Sequence, residues 1–167
     1  DDGSEVTGES HIADAKKERD ARIRRVRLIP ERPAALPQVL EAIEAADMIV
    51  LGPGSLYTSI MPNLLTEGVA RAVAESDAFR IYVLNVMTQD GETEGYTASD
   101  HIGALFSNSG ERLFDWCLAN DREIPAELLK KYGAEGAEPV RVDEAAVHEL
   151  GVGLLRAPVA GWASGYV

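Results

Sequence analysis

The chain has 167 residues, with 16 Lys and Arg against 28 Asp and Glu, and its formal net charge of −12 excludes a general binder of nucleic acid or other polyanions. A composition that is 46% hydrophobic and 26% charged is that of a soluble globular domain, and a chain of this size buries about 70% of its unfolded surface on folding, enough for one domain with a real core. No apolar run approaches the ~20 residues that cross a bilayer, so no membrane insertion is expected; residues 1–10 (DDGSEVTGES) lack the basic start and apolar stretch of a signal peptide, which makes the cytoplasm the expected location.

In chain order, residues 13–25 are rich in charges of both signs and read as a solvated loop or frayed helix. Residues 23–29 alternate apolar side chains with arginines, the period of a half-buried strand, ended by Pro30 and Pro33. Residues 34–46 carry Leu36, Val39, Leu40 and Ile43 on one helical face, with Pro37 in the first turn, where a missing N–H is tolerated. Residues 47–51 are apolar after Asp47 and stop at Gly52-Pro53-Gly54, as a strand of a parallel sheet does. Helical spacing returns over 64–76, and 79–84 is a strand rich in β-branched and aromatic residues, completing a strand-helix-strand unit of βαβ size. A polar loop over 85–97 precedes a helix over 99–107 with Ser99 as its expected cap. The remainder reads as strand 113–119, helix 125–132, short strand 139–142, helix 143–150 capped by Asp143, and strand 152–155. The alternation predicts an α/β class with a mainly parallel sheet covered on both faces.

Two loops follow predicted strands at their carboxyl ends, where open α/β sheets bind ligands. In the first, Gly52 and Gly54 let backbone approach a ligand, while Ser55, Thr58 and Ser59 offer hydroxyls; the combination suits phosphate or sugar oxygens, and equally a tight structural turn. It is neither a Walker A loop nor a Gly-x-Gly-x-x-Gly fingerprint. In the second, Asn85, Thr88, Gln89 and Thr93 are uncharged groups that donate and accept, as recognition of a base or a sugar hydroxyl requires. Asp90 and Glu92 have the chemistry to hold Mg²⁺ on a pyrophosphate, although acids in a polar loop are more often solvated. With no Lys or Arg in either loop, a pyrophosphate would rely on backbone N–H groups, a helix N-terminus or such a metal.

Other candidates are weaker. His101 fits a structural hydrogen bond better than a proton carrier, and His11 and His148 receive no role. Tyr57 and Tyr96 have rings to stack on a base, whereas Trp116 and the single cysteine, Cys117, sit in an apolar strand and read as core. No Ser-His-Asp set, Cys-His pair or His-rich metal spacing is present, so no catalytic residue is assigned.

The strings ADMIVLGPGSLYTSIMPNLL over 46–65 and YVLNVMTQDGETEGYTASDH over 82–101 resemble the YvcK family, the gluconeogenesis factors, as do 6–10 and 134–140. The likeness runs from about residue 6 to about 155 and corresponds to the latter part of a family member, so residues 1–167 read as the C-terminal portion of a single YvcK/CofD-like domain. The family's N-terminal strand with its Gly-Gly-Gly-Thr-Gly loop has no counterpart here, Asp90 stands where the family usually has proline, and 156–167 does not resemble its basic tail. The resemblance implies a Rossmann-like three-layer α/β/α fold, incomplete at its N-terminal side. It also implies a cytoplasmic regulatory protein that binds UDP-sugars such as UDP-N-acetylglucosamine and is linked to gluconeogenic growth, cell shape and cell-wall synthesis. Its bound state would be read by partners or by homo-oligomer formation. The ligand contacts it suggests are Gly52, Gly54, Ser55, Leu56, Thr58, Asn85, Thr88 and Gln89; Ser59, Glu92 and Thr93 join them from the loop chemistry. The related CofD, a 2-phospho-L-lactate transferase that uses Mg²⁺ and a nucleotide-activated substrate, supplies the alternative function.

Overall fold

The structure, a computed structural model, describes residues 3–9, 11–12, 14–15 and 22–161. Much of the charged stretch over 13–25, and residues 162–167, lie outside the described residues. Four strands, β1 (Met48–Leu51), β2 (Phe79–Val83), β3 (Trp116–Asn120) and β4 (Gly153–Ala157), form one sheet in the order β1-β2-β3-β4, every pair parallel. The helices described along their whole length are α1 (Pro37–Glu44), α2 (Met61–Leu64), α3 (Val69–Glu75), α4 (Ala98–Ser109), α5 (Ala126–Ala134) and α6 (Glu144–Glu149). The expected α/β class with a parallel sheet is therefore what the chain forms.

Strand order equal to chain order has a consequence. Right-handed crossovers that all step in the same direction return over the same face of the sheet. The core lies on that face, where Leu51, Tyr82, Cys117 and Ala119 meet Val73 of α3, Ile102 and Leu105 of α4, and Val147 of α6. Tyr82 stacks on Phe114 at 5.3 Å between centroids, and Phe106 packs on Phe114 at 4.9 Å. Arg80 ties this face together from β2, pairing with Asp115 at 2.8 Å and donating to the carbonyl oxygens of Val73 and Ala74 at the end of α3. The alternate residues Met48, Val50, Phe79, Trp116 and Leu155 point the other way and remain exposed, so helices do not cover both faces among the described residues.

Several local expectations change. Residues 22–28 form no strand: Ile23 and Val26 pack at the edge of the core, and the backbone is held by side chains, with Val26 N–H donating to Asn108 Oδ1 at 3.0 Å and Tyr57 Oη donating to the Ile23 carbonyl at 3.2 Å. These apolar side chains are covered without a ladder. The expected strand over 139–142 reduces to isolated bridges, Met87 with Pro139 and Thr97 with Arg141. The long helix over 64–76 is broken, because Gly68 at φ 85° turns the chain between α2 and α3. Thr97, not Ser99, caps α4: its side chain and that of Asp100 exchange bonds with each other's N–H in a capping box. Asp143 does not cap α6 with its side chain; it accepts from Ser99 N–H at 3.0 Å and from Ser99 Oγ. Burial pushes its carboxyl up, but the bonds from Ser99 and Thr97 outweigh this and hold it below the ordinary carboxylate range. Cys117 is core as expected, its thiol pushed up to about 12 by burial.

Candidate functional site

The loops after β1 and β2 emerge side by side at the carboxyl edge of the sheet, because β1 and β2 are parallel neighbours. The first leaves β1 through Gly52 at φ 76°, where a Cβ would lie 3.0 Å from the Val83 carbonyl oxygen and 3.3 Å from Tyr82 and Ile60 atoms, so only glycine fits. It then winds into a π-helical turn, Leu56–Ile60, in which Ile60 N–H reaches the Ser55 carbonyl at 3.0 Å, and runs directly into α2. The sequence pattern predicts only a loop here. Turns of this kind are uncommon and recur at functional sites.

The two loops are bonded along their length. Asn85 clamps Gly54 at two points, its Nδ2 donating to the Gly54 carbonyl at 2.9 Å and its Oδ1 accepting from Gly54 N–H at 3.3 Å. Ser55 Oγ donates to Gln89 Oε1 at 2.7 Å. Glu92, only 1% exposed, accepts Tyr57 N–H at 3.0 Å on one carboxylate oxygen and Thr58 Oγ1–H at 2.6 Å on the other. The second loop is braced in turn: Thr93 Oγ1 accepts from Gln89 N–H at 2.9 Å, and Thr88 exchanges bonds with Glu138 through its N–H and Oγ1.

Of the eleven residues assigned to ligand contact, Gly52, Gly54, Ser55, Thr58, Ser59, Asn85 and Gln89 lie at least partly open along this rim. Leu56, Thr88, Glu92 and Thr93 are buried beneath it and support it. The Glu92 bond to Tyr57 N–H places a protein carboxylate at the start of the helical run, a position where a helix otherwise attracts an external anion. Glu92 is buried and both of its oxygens brace the first loop, and among the described residues no group of three His, Cys, Asp or Glu side chains converges to hold a metal.

The aromatic candidates are also committed. Tyr57 is 2% exposed, its hydroxyl 2.8 Å from that of Tyr96, and the two rings meet edge to face. Both therefore serve as the floor behind the first loop and are not open stacking platforms; Arg22 lies over the outer side of the Tyr96 ring at 5.4 Å. Neither this hydroxyl pair nor the π-helical turn has a periodic sequence signal. His101 is fully buried on α4, with Nδ1 2.9 Å from the Thr97 carbonyl, so Nδ1 carries the proton and Nε2 has no hydrogen-bond partner among the described residues. Burial pushes its pKa below the ordinary imidazole value. The expected structural hydrogen bond is present. Trp116, expected in the core, instead lies on the exposed side of the sheet.

The profile of the CofD family, described as 2-phospho-L-lactate transferase CofD, matches residues 1–160. The gluconeogenesis factor of Halalkalibacterium halodurans is 48% identical over 155 residues, covering 93% of this chain and 47% of the relative. The gluconeogenesis factor of Bacillus subtilis is 44% identical over 156 residues, covering 93% of this chain and 48% of the relative. A crystal structure of a Bacillus halodurans protein superposes with a TM-score of 0.94 at 44% identity, covering 99% of this chain and 52% of that one. The chain thus spans about half the length of these relatives. No helix of the described residues is long and apolar enough to cross a membrane. By its profile match and these relatives, the chain belongs to the CofD family, in which it is similar to the gluconeogenesis factors.

Proposed function

We propose that the rim formed by residues 52–59 and 85–89 is one wall of a nucleotide-sugar site, for a ligand such as UDP-N-acetylglucosamine, in a cytoplasmic regulatory protein that supports growth on gluconeogenic carbon and, through it, cell shape and cell-wall synthesis. The observation that carries the reading is the Asn85–Gly54 clamp together with the Ser55–Gln89 bond, which hold open-facing amide and hydroxyl groups at the carboxyl ends of adjacent parallel strands. These groups are neutral and both donate and accept, which matches sugar hydroxyls and a uracil edge. The name carried by the relatives, gluconeogenesis factor, supports the physiological part. The rim residues 52–59 and 85–89 include no Cys, His or Lys, which favours binding over turnover.

Isothermal titration with UDP-N-acetylglucosamine tests it. Binding is expected, weakened at least tenfold by Asn85→Ala and by Ser55→Ala and unchanged by Ser107→Ala on the far part of α4. Equal affinity in all four proteins, or no heat with UDP-N-acetylglucosamine, UDP or UMP, would refute the assignment. The CofD profile match favours a second reading, phosphate-group transfer. Release of a nucleoside monophosphate from nucleotide-activated 2-phospho-L-lactate, dependent on an added acceptor alcohol that takes the phospholactate, would select it over binding.

A further inference from the structure

The two amide side chains of the rim are held in different ways. Asn85 comes just after β2, with backbone bonded on both sides of it: Leu84 N–H donates to the Leu118 carbonyl at 3.0 Å, and the Val86 carbonyl accepts from Val140 N–H at 3.0 Å. Its side chain meets Gly54 edge to edge, Oδ1 taking the Gly54 N–H and Nδ2 giving one hydrogen to the Gly54 carbonyl. Both partners are backbone groups, one a donor and one an acceptor, and neither can change role. A turned-over amide would set N–H against N–H and oxygen against oxygen. The orientation of Asn85 is therefore fixed, and its second Nδ2 hydrogen has no acceptor among the described residues.

Gln89 is anchored as firmly through its backbone, its N–H donating to Thr93 Oγ1 at 2.9 Å and its carbonyl accepting from Glu92 N–H at 3.1 Å and Thr93 N–H at 2.9 Å. Its amide, however, meets a hydroxyl, Ser55 Oγ, at 2.7 Å. A hydroxyl rotates to donate or to accept, so Gln89 can turn its amide over and keep that bond. An amide free to turn tolerates whatever a ligand presents. A fixed N–H discriminates, because an acceptor oxygen completes it and a ligand amine in the same place leaves two donors unpaired.

We propose that Asn85 is the specificity-determining residue of the rim: its unspent Nδ2 hydrogen receives a ligand oxygen that only accepts, a carbonyl or a phosphoryl oxygen, and excludes a ligand that places an amine there, while Gln89 adapts to the groups beside it. This role rests on the nucleotide-sugar reading. Asn85 is only partly buried, and it lies at the carboxyl end of β2 on bonded backbone, so the position of the donor is set before any ligand arrives.

Isothermal titration of the full chain with three pairs of ligands tests the role. UMP and CMP carry a carbonyl against an amine at the pyrimidine 4-position; UMP and uridine differ by the phosphate; UDP-N-acetylglucosamine and UDP-glucose differ by the acetamido group. In Asn85→Ala one of the three affinity ratios is expected to fall about tenfold or more and the others to stay within about twofold, and the ratio that falls names the source of the oxygen. Gln89→Ala should lower affinity yet keep the ratio of UMP to CMP within about twofold. A second measurement needs no substitution: in heteronuclear NMR spectra of the unaltered chain saturated with UDP-N-acetylglucosamine, the Asn85 Nδ2 proton not given to Gly54 should move downfield while its twin stays in place. Affinities that fall together in Asn85→Ala with all three ratios kept, or a free Nδ2 proton that does not move, would make Asn85 a brace for Gly54 and overturn the inference while leaving the nucleotide-sugar reading intact. No binding of any of these ligands would overturn both.

Discussion

Glu92 is the residue on which the rim depends most, and its replacement separates a structural acid from a ligand-binding one. In Glu92→Ala, Tyr57 N–H loses its partner in a place where both residues are almost fully buried. An orphaned buried donor costs about 1–3 kcal/mol, and the smaller loss at the half-open Thr58 hydroxyl and the space left by the side chain add to it, for a total of about 2–4 kcal/mol. Glu92→Gln keeps the shape. Its carbonyl oxygen can accept from Tyr57 N–H while its amide donates to Thr58 Oγ1, whose hydroxyl rotates to accept, so a cost of about 1 kcal/mol or less is expected. Urea unfolding measures both: with a slope near 2 kcal/mol per molar, the alanine variant should lose about 1–2 M in midpoint and the glutamine variant about 0.5 M or less, with the slope unchanged. If the two variants unfold within 0.5 kcal/mol of each other, or if alanine is neutral, the two bonds do not hold the π-helical turn in place.

Gly52→Ala should destabilise by about 1–3 kcal/mol, because φ is 76° and the Val83 carbonyl stands 3.0 Å from the new Cβ, whereas Gly54→Ala, with its nearest contacts at 3.6 Å or more, should stay within about 0.5 kcal/mol; thermal unfolding compares them. Asn85→Ala removes both bonds to Gly54 and should cost about 1–2 kcal/mol, while Asn85→Asp keeps the acceptor but sets a carboxylate oxygen against the Gly54 carbonyl and should cost at least as much, as denaturant midpoints would show. For His101 the folded-state pKa lies below the unfolded value of about 6.5, so the unfolded chain binds the extra proton first and stability falls as pH drops from about 6.5 to the folded pKa, by at most about 1.4 kcal/mol per pH unit. His101→Phe should remove that contribution to the slope, and an unchanged pH profile would show that His101 does not titrate on unfolding.

The elements most legible in the sequence are those whose side chains encode one physical demand. Residues 48–51 are apolar, as a strand of a parallel sheet is expected to be, and Gly52 ends them because the chain must turn at positive φ there; strand and turn both survive in the structure, although Met48 and Val50 stay exposed. Residues 23–29 misled because alternating burial is common to any extended segment lying on a core, whereas a strand also needs a backbone partner, and side chains of Asn108 and Tyr57 took that place. Ser99 and Asp143 are both good caps by type, but each found the other across 44 residues, and no local pattern reports such a pair. The site divides in the same way. The rim residues stand out by composition and by their place after strands, but the division between Ser55 or Asn85 at the surface and Thr88 or Glu92 beneath it depends on how two separate loops interlock. Trp116 was misplaced because an apolar strand in a parallel sheet is expected to have both faces covered.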